Sequence, residues 1–203
     1  NMNGLPHQVL HAKKMRQAGK EFKPIFGVEA YFLTSLDEWR EDYEAAKEDK
    51  KKRKTLSKDV TATTVEDEGA SKKAVRNILN RRRHLILLAQ DQEGLSNLFA
   101  LISESFGPDH YYRYPRVDYK TLKKYSKGVI AASACLGGVY AGNYWENRDN
   151  GEEAVLEAMR ETTRTMVDIF GDRWYGELQW NNIPQQHELN KYIIQMHHEF
   201  GIK

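Results

Sequence analysis

At 203 residues, with 40% hydrophobic and 30% charged content, the chain is long enough to bury a substantial core as one domain or two. Its single cysteine cannot form an internal disulfide, which excludes a disulfide-stapled secreted scaffold and fits a reducing compartment, the cytoplasm by default. No apolar run approaches the roughly 20 residues that span a bilayer, and a formal charge of +2 is too small to signal nucleic-acid binding, so the distribution of charge must decide.

The chain opens on Asn1-Met2-Asn3-Gly4 and runs directly into a helical pattern. Val9, Leu10, Ala12 and Met15 form a stripe that Gly19 stops. "KPIFGVEAYFL" (23–33) is β-branched and aromatic between turn residues, and reads as a strand. A helix is expected over 35–53, with Ser35 and Glu38 spaced as a capping box. Its end carries "EDKKKRK", and the Thr- and Glu-rich stretch beyond offers little to bury, so 54–72 should be irregular.

Further strands are expected at "HLILLAQ" (84–90), "GVIAASA" (128–134) and "WYGELQ" (174–179). Helices follow at 91–106, 137–147, 151–170 and 183–200, with Asp91 and Asp118 as caps and Pro184 in a first turn. Strand and helix in alternation imply a parallel sheet, and continuous apolar strands imply cover on both faces. The close, Gly201-Ile202-Lys203, reads as a helix stop followed by the start of another strand, so both ends look like cuts through a larger protein.

Three residues stand out chemically. Glu29 interrupts an apolar strand, and a carboxylate buried there needs an ion pair or a metal. His84 begins its strand after three arginines and is either hydrogen-bonded structure or a ligand. Cys135, in "SACLGG", follows its strand at the end where α/β folds place their sites, yet a lone cysteine is also a small hydrophobe. Two histidine pairs carry less. His7 and His11 share a helical face but lack the Glu of a zinc motif, and the adjacent His197 and His198 point apart. "YYRYPRVD" interleaves Tyr111, Tyr112 and Tyr114 with Arg113 and Arg116 in a pattern that could stack bases and contact phosphates or merely pack a loop, and the triplet Arg81, Arg82 and Arg83 could steer DNA toward His84 or form a solvated face.

Taken in order, "NMNG", "KPIFGVEAYF", "HLILLAQDQEGLSNLFALIS", "YYRYPRVD", "KGVIAASACLGG" and "GELQWNNIPQQHELN" resemble the PHP (polymerase and histidinol phosphatase) domain of bacterial-type C-family DNA polymerases. The resemblance spans 1–203 as one domain, apart from a charged insertion at about 36–80. It implies an α/β fold, a distorted (β/α)7 barrel incomplete at both ends, within a much longer polymerase. It also implies a cluster of divalent metals, zinc, manganese or magnesium, in which Glu29 of "GVEAY", His84 of "HLILLA" and Cys135 of "SACLGG" are ligands. The family's His-x-His, Asp-His and final Asp-x-His motifs fall outside this stretch. Such a site is a metal-dependent phosphoesterase or 3′ to 5′ exonuclease; the alternative is an inactive platform for the polymerase and a separate proofreading exonuclease. The implied partners are DNA and the remaining polymerase domains, with no membrane. If the three residues form one site, their side chains must converge.

Overall fold

A computed structural model describes residues 2–59 and 80–203. The elements run α1 (Leu5–Gln17), β1 (Gly27–Phe32), α2 (Leu36–Asp59), β2 (Arg83–Ala89), α3 (Gln92–Ser105), α4 (Tyr119–Tyr125), β3 (Val129–Ala132), α5 (Val139–Asn147), α6 (Glu152–Phe170), β4 (Trp174–Tyr175) and α7 (Pro184–Phe200). Helix starts follow their capping chemistry. The Ser35 hydroxyl accepts from the Glu38 amide at 3.2 Å, and the Asp91 and Asp118 carboxylates accept from the Gly94 and Thr121 amides at 2.8 and 2.9 Å. Gly201, at φ 66°, ends α7 in the left-handed region. Residues 54–59 continue α2, against the irregular segment expected to begin there, and 60–72 lie outside the described residues.

The four strands form one sheet in the order β1-β2-β3-β4, as their shared apolar character predicts. Their direction differs from expectation. β1 pairs with β2 and β2 with β3 antiparallel, and only β3 and β4 run parallel. For β2 and β3 the reason lies in the connection between them. It contains two helices, α3 leading away from the end of β2 and α4 returning, so β3 enters opposite Ala89, where β2 left off. An even number of traversals gives an antiparallel neighbour; one crossover helix would give a parallel one. β4 is also shorter than expected, because its pairing with β3 ends at Tyr175.

Side chains alternate across this sheet. Val28, Phe32, Leu85, Leu87, Val129 and Ala131 are buried on one face, where Leu98 and Leu101 of α3 join them in the main core. α6 and α7 add Leu156, Met159, Met166, Leu189, Ile193 and Met196 to the same core. Trp174 is fully buried, and its indole donates to the Tyr140 hydroxyl at 2.9 Å. That hydroxyl also meets Thr163 Oγ1 at 2.7 Å, and burial pushes the Tyr140 phenol up to about 12. α6 and α7 are further tied by Arg160, whose Nε and Nη2 grip the two Glu199 oxygens at 2.7 and 3.1 Å. α1 buries only Ala12 and leaves Val9 and Leu10 exposed, so its predicted stripe is mostly uncovered.

The other sheet face carries Glu29, Tyr31, His84, Ile86, Leu88 and Ile130, all at least partly accessible. The expectation of cover on both faces therefore fails among the described residues. Here the alternation places the chemistry: Glu29, Tyr31 and His84 share the open face because each lies two positions, or one cross-strand step, from the next.

Candidate functional site

Tyr31 stands directly across from His84 in the β1–β2 register, and Glu29 lies diagonal to it. Glu29 Oε1 is 2.6 Å from His84 Nδ1. Cys135 approaches from the far side of β2, where His84 donates its amide to the Gly137 carbonyl at 2.8 Å. That bond fixes the loop after β3 against the start of β2 and brings Cys135 Sγ to 3.4 Å from the same Nδ1. The Gly137 amide adds a donor to the sulfur at 3.3 Å. Glu29, His84 and Cys135 thus converge on one point.

Backbone strain builds the loop. Ala134 lies at φ 61°, a region that costs a non-glycine residue roughly 1–2 kcal/mol. Strain of this kind persists only where its surroundings enforce it. The enforcement is visible: Ser133 is buried, its hydroxyl accepts from the Glu177 amide at 2.9 Å, and its carbonyl accepts from the Val139 amide at 3.2 Å. A Cβ on Gly138 would lie 2.0 Å from that carbonyl, so the glycine pair is what lets α5 begin so close to β3.

The environment corrects one premise. Glu29 is not buried: its side chain is half exposed, so no desolvation forces it to find a partner. Its burial was inferred from apolar neighbours, but alternation sends Val28 and Phe32 into the core and Glu29 outward.

The triad of types, Cys, His and Glu, also fits a nucleophilic dyad with an orienting carboxylate. In that chemistry one ring nitrogen takes the thiol proton while the other donates to the carboxylate. Both partners here address Nδ1, so the ring cannot serve the two roles at once. A carboxylate, a thiol and an imidazole turned toward one point match instead the mixed donor set of a borderline divalent metal. The 2.6 Å contact is a hydrogen bond, not a spacing between two ligands of one ion. Consistently, no group of three or more His, Cys, Asp or Glu among the described residues is arranged to hold a metal ion. The donor chemistry fits; the coordination shell is not preformed.

A cleft of about 360 Å³ adjoins the site, with Glu29, Tyr31, Arg113 and Tyr114 in its wall. The four nucleic-acid candidates separate clearly. Arg116 is fully buried, donates to the carbonyls of Arg81, Tyr112 and Tyr114 at 3.2, 2.9 and 3.0 Å, and lies over the Trp39 ring. Burial, helped by the nearby Arg82 charge, lowers its pKa to about 10, so it is still a cation at neutral pH. It is a packing element and cannot contact DNA. Tyr112 packs against the small cluster of Leu33, Leu36 and Trp39, and Arg83 is paired with Glu146. Arg113 alone is exposed and faces the cleft, at φ 60°. Of the histidine pairs, His11 stacks edge-on against Phe22, and His197 is bonded to the Ile202 carbonyl.

Sequence reasoning named Tyr114 in the tyrosine–arginine stretch and Arg82 in the arginine triplet, but passed over Tyr31, whose ring links Arg82 to His84. The Arg82 guanidinium lies 5.0 Å from the Tyr31 ring and 4.5 Å from that of Tyr114, and Tyr31 is 5.6 Å from the His84 ring. The signal was the period of two, since Arg82 precedes His84 and Tyr31 follows Glu29 by two positions.

The sequence profile of the PHP domain matches residues 1–181. The chain belongs to the PHP domain family. It is similar to DNA polymerase III subunit alpha of Aquifex aeolicus, 37% identical over 182 residues, which is 89% of this chain and 12% of that protein. The protein of the same name from Deinococcus radiodurans is 29% identical over 202 residues, covering 100% of this chain and 12% of the relative. That of Helicobacter pylori strain 26695 is 37% identical over 129 residues, 61% of this chain and 10% of the relative. This PHP domain therefore spans about an eighth of the length of the curated relatives it matches. Among its described residues no helix is long and apolar enough to cross a membrane.

Proposed function

We propose that this PHP domain contributes a metal-dependent phosphoesterase site to a C-family polymerase, with Glu29, His84 and Cys135 among the ligands. One observation carries the reading: in a PHP-family chain, three side chains of the right donor types, drawn from β1, β2 and the loop after β3, meet at a single ring nitrogen. Bound divalent metal, zinc, manganese or magnesium, would lower the pKa of a water to hydroxide and stabilise charge developing on the phosphate. His84 would release its hydrogen bond to Glu29 so that both become ligands, while the Gly137 amide keeps the Cys135 sulfur turned inward. Zinc is favoured by the sulfur and nitrogen donors, magnesium least.

The relatives' name supports the rest. The parent chain would be a DNA-directed DNA polymerase in the cytoplasm, with DNA and the other polymerase domains as partners and a proofreading subunit as a further one. The domain itself would trim strands as a 3′ to 5′ exonuclease, and its four-stranded sheet would be the described part of a (β/α)7 barrel.

The test is made on the full-length protein, comparing wild type with His84→Ala and Cys135→Ala. Bound zinc or manganese should fall at least about 10 to 100-fold in affinity, as losses around such ligands do. Release of nucleotides from a 3′-labelled oligonucleotide should fall with it while nucleotide addition is spared. Unchanged metal content in both variants would replace this reading by that of a structural platform.

A further inference from the structure

The arginine triplet before β2 is not uniform. Arg81 is paired with Asp42 and Arg83 with Glu146, so both outer charges are neutralised. Arg82, between them, has no carboxylate partner among the described residues. Its Nη1 donates to the Asn80 carbonyl at 3.0 Å, while its Nε, shielded from solvent, has no acceptor among the described residues. Donors so placed are ordinarily satisfied, and one that is not points to a bound group. The guanidinium carbon lies 5.0 and 4.5 Å from the Tyr31 and Tyr114 ring centres, and the two rings meet edge to face at 5.4 Å, so perpendicular aromatic walls confine the charged group.

Position supplies the ligand's chemistry. Arg82 and His84 are two residues apart on the open face, and the Tyr31 ring touches both, so the uncompensated cation stands one ring away from the point where Glu29, His84 and Cys135 meet. An arginine confined between aromatic rings, with its charge not taken by a carboxylate, suits a tetrahedral oxyanion, and a carboxylate–imidazole–thiol cluster beside it is built for chemistry on one. We infer that Arg82 is the phosphate-binding residue of this site, taking a phosphate of the strand whose ester lies at Glu29, His84 and Cys135. The inference rests on the phosphoesterase reading for which phosphate is meant, but the binding itself does not need hydrolysis. The two sources of that group are an internal phosphodiester of nucleic acid and a free terminal phosphate.

The experiment uses full-length protein carrying Arg82→Gln, Arg82→Lys or Tyr114→Ala. Binding of inorganic phosphate and of a fluorescent oligothymidylate lacking terminal phosphates is measured beside bound metal and steady-state hydrolysis. Arg82→Gln should weaken binding about tenfold, as loss of a charge-assisted pair does, and flatten the salt dependence by about one ion. Metal content should hold, and the loss should appear in KM more than in kcat. Arg82→Lys should recover part of the affinity, since it keeps the charge but not the fork. Tyr114→Ala, which leaves the arginine in place but removes one of its two aromatic walls, should show a smaller loss and guards against a misfolded Arg82 variant. Loss confined to the oligonucleotide identifies the phosphodiester, and loss confined to phosphate identifies the terminal group. Binding by Arg82→Gln equal to wild type overturns the inference, as does a wild type that binds neither probe. A wild type that binds but never hydrolyses sinks the phosphoesterase reading and leaves this one standing.

Discussion

Two loops of this molecule share a backbone feature and do opposite things. The 111–116 loop is rich in tyrosine and arginine, and the 133–138 loop is small and glycine-rich; each holds one non-glycine residue in the left-handed region, Arg113 at φ 60° and Ala134 at φ 61°. In the first, the arginine that matters, Arg116, turns inward and binds three carbonyls of its own surroundings. In the second, backbone bonds within the loop and to β2 and β4 hold the turn and leave the Cys135 sulfur facing His84. Composition does not separate a binding loop from a packed one. What separates them is where the polar atoms are satisfied: a guanidinium consumed by carbonyls is structure, and a side chain held by backbone but left open is a site.

The comparison is tested hardest at Gly138. Alanine there would set its Cβ 2.0 Å from the Ser133 carbonyl, a backbone atom that cannot swing away. Displacing α5 should cost about 3 kcal/mol by urea unfolding and abolish the approach of Cys135 to His84. A Gly138→Ala protein of normal stability would show that the loop is loose, and with it the argument that strain aims the cysteine.

Arg116→Met comes next. Removing the guanidinium orphans the carbonyls of Arg81 and Tyr112 and takes one of two donors from that of Tyr114, which should cost about 2 kcal/mol, whereas Arg113→Ala at the exposed position should change stability by less than about 0.5 kcal/mol. DNA affinity should move the other way, falling for Arg113→Ala and unchanged for folded Arg116→Met. Reversal of that order in a binding titration would restore Arg116 as a contact.

Much of this was legible in the sequence, and the failures have physical causes. The strand positions followed from apolar runs between turn residues, and the helix starts from Ser35, Asp91 and Asp118, because these are local effects. The convergence of Glu29, His84 and Cys135 was legible only through the ordered motifs, as no single residue implies it. Strand direction was not, since it depends on whether α3 and α4 each cross the sheet, which spacing does not encode. Nor was the fate of Arg116 legible. A buried arginine and an exposed one are the same letter, and the carbonyls that hold it come from 81, 112 and 114.

Ala134→Gly separates strain from stability. Relief of the left-handed alanine recovers roughly 1–2 kcal/mol, and the freer unfolded chain takes back about 0.4–1 kcal/mol. A net gain of about 0.5 kcal/mol is expected, seen as a higher urea midpoint, together with weaker metal binding because Cys135 is held less firmly. Tighter metal binding in the glycine variant would mean that the strain opposes the site instead of shaping it.

The smallest effect is one of pH, and it should reach one loop only. Glu104, at the end of α3, is held below the ordinary carboxylate range by the Lys124 ammonium at 2.6 Å and the Tyr125 hydroxyl at 2.7 Å. It also faces His110 at 3.9 Å, whose ring is bonded to the Arg116 carbonyl, so this carboxylate anchors the base of the 111–116 loop. Because its folded pKa is depressed, the stabilisation is fully present above its ordinary value of 4.5 and is lost as pH falls through the lower folded value. The ammonium contact is mostly exposed, so screening keeps the contribution modest. The 133–138 loop is held instead by backbone bonds, the Ser133 hydroxyl and the Trp145 indole. Hydrogen exchange followed from pH 4.5 downward should therefore show the amides of Leu33 and Val117, which pair across the base of the first loop, losing protection before those of Gly138 and Val139. Glu104→Gln should remove that order by loosening Leu33 and Val117 already at neutral pH. Simultaneous loss in wild type would show that the two loops open as one unit, and the distinction between a packed loop and a poised one would then have no counterpart in the protein's motions.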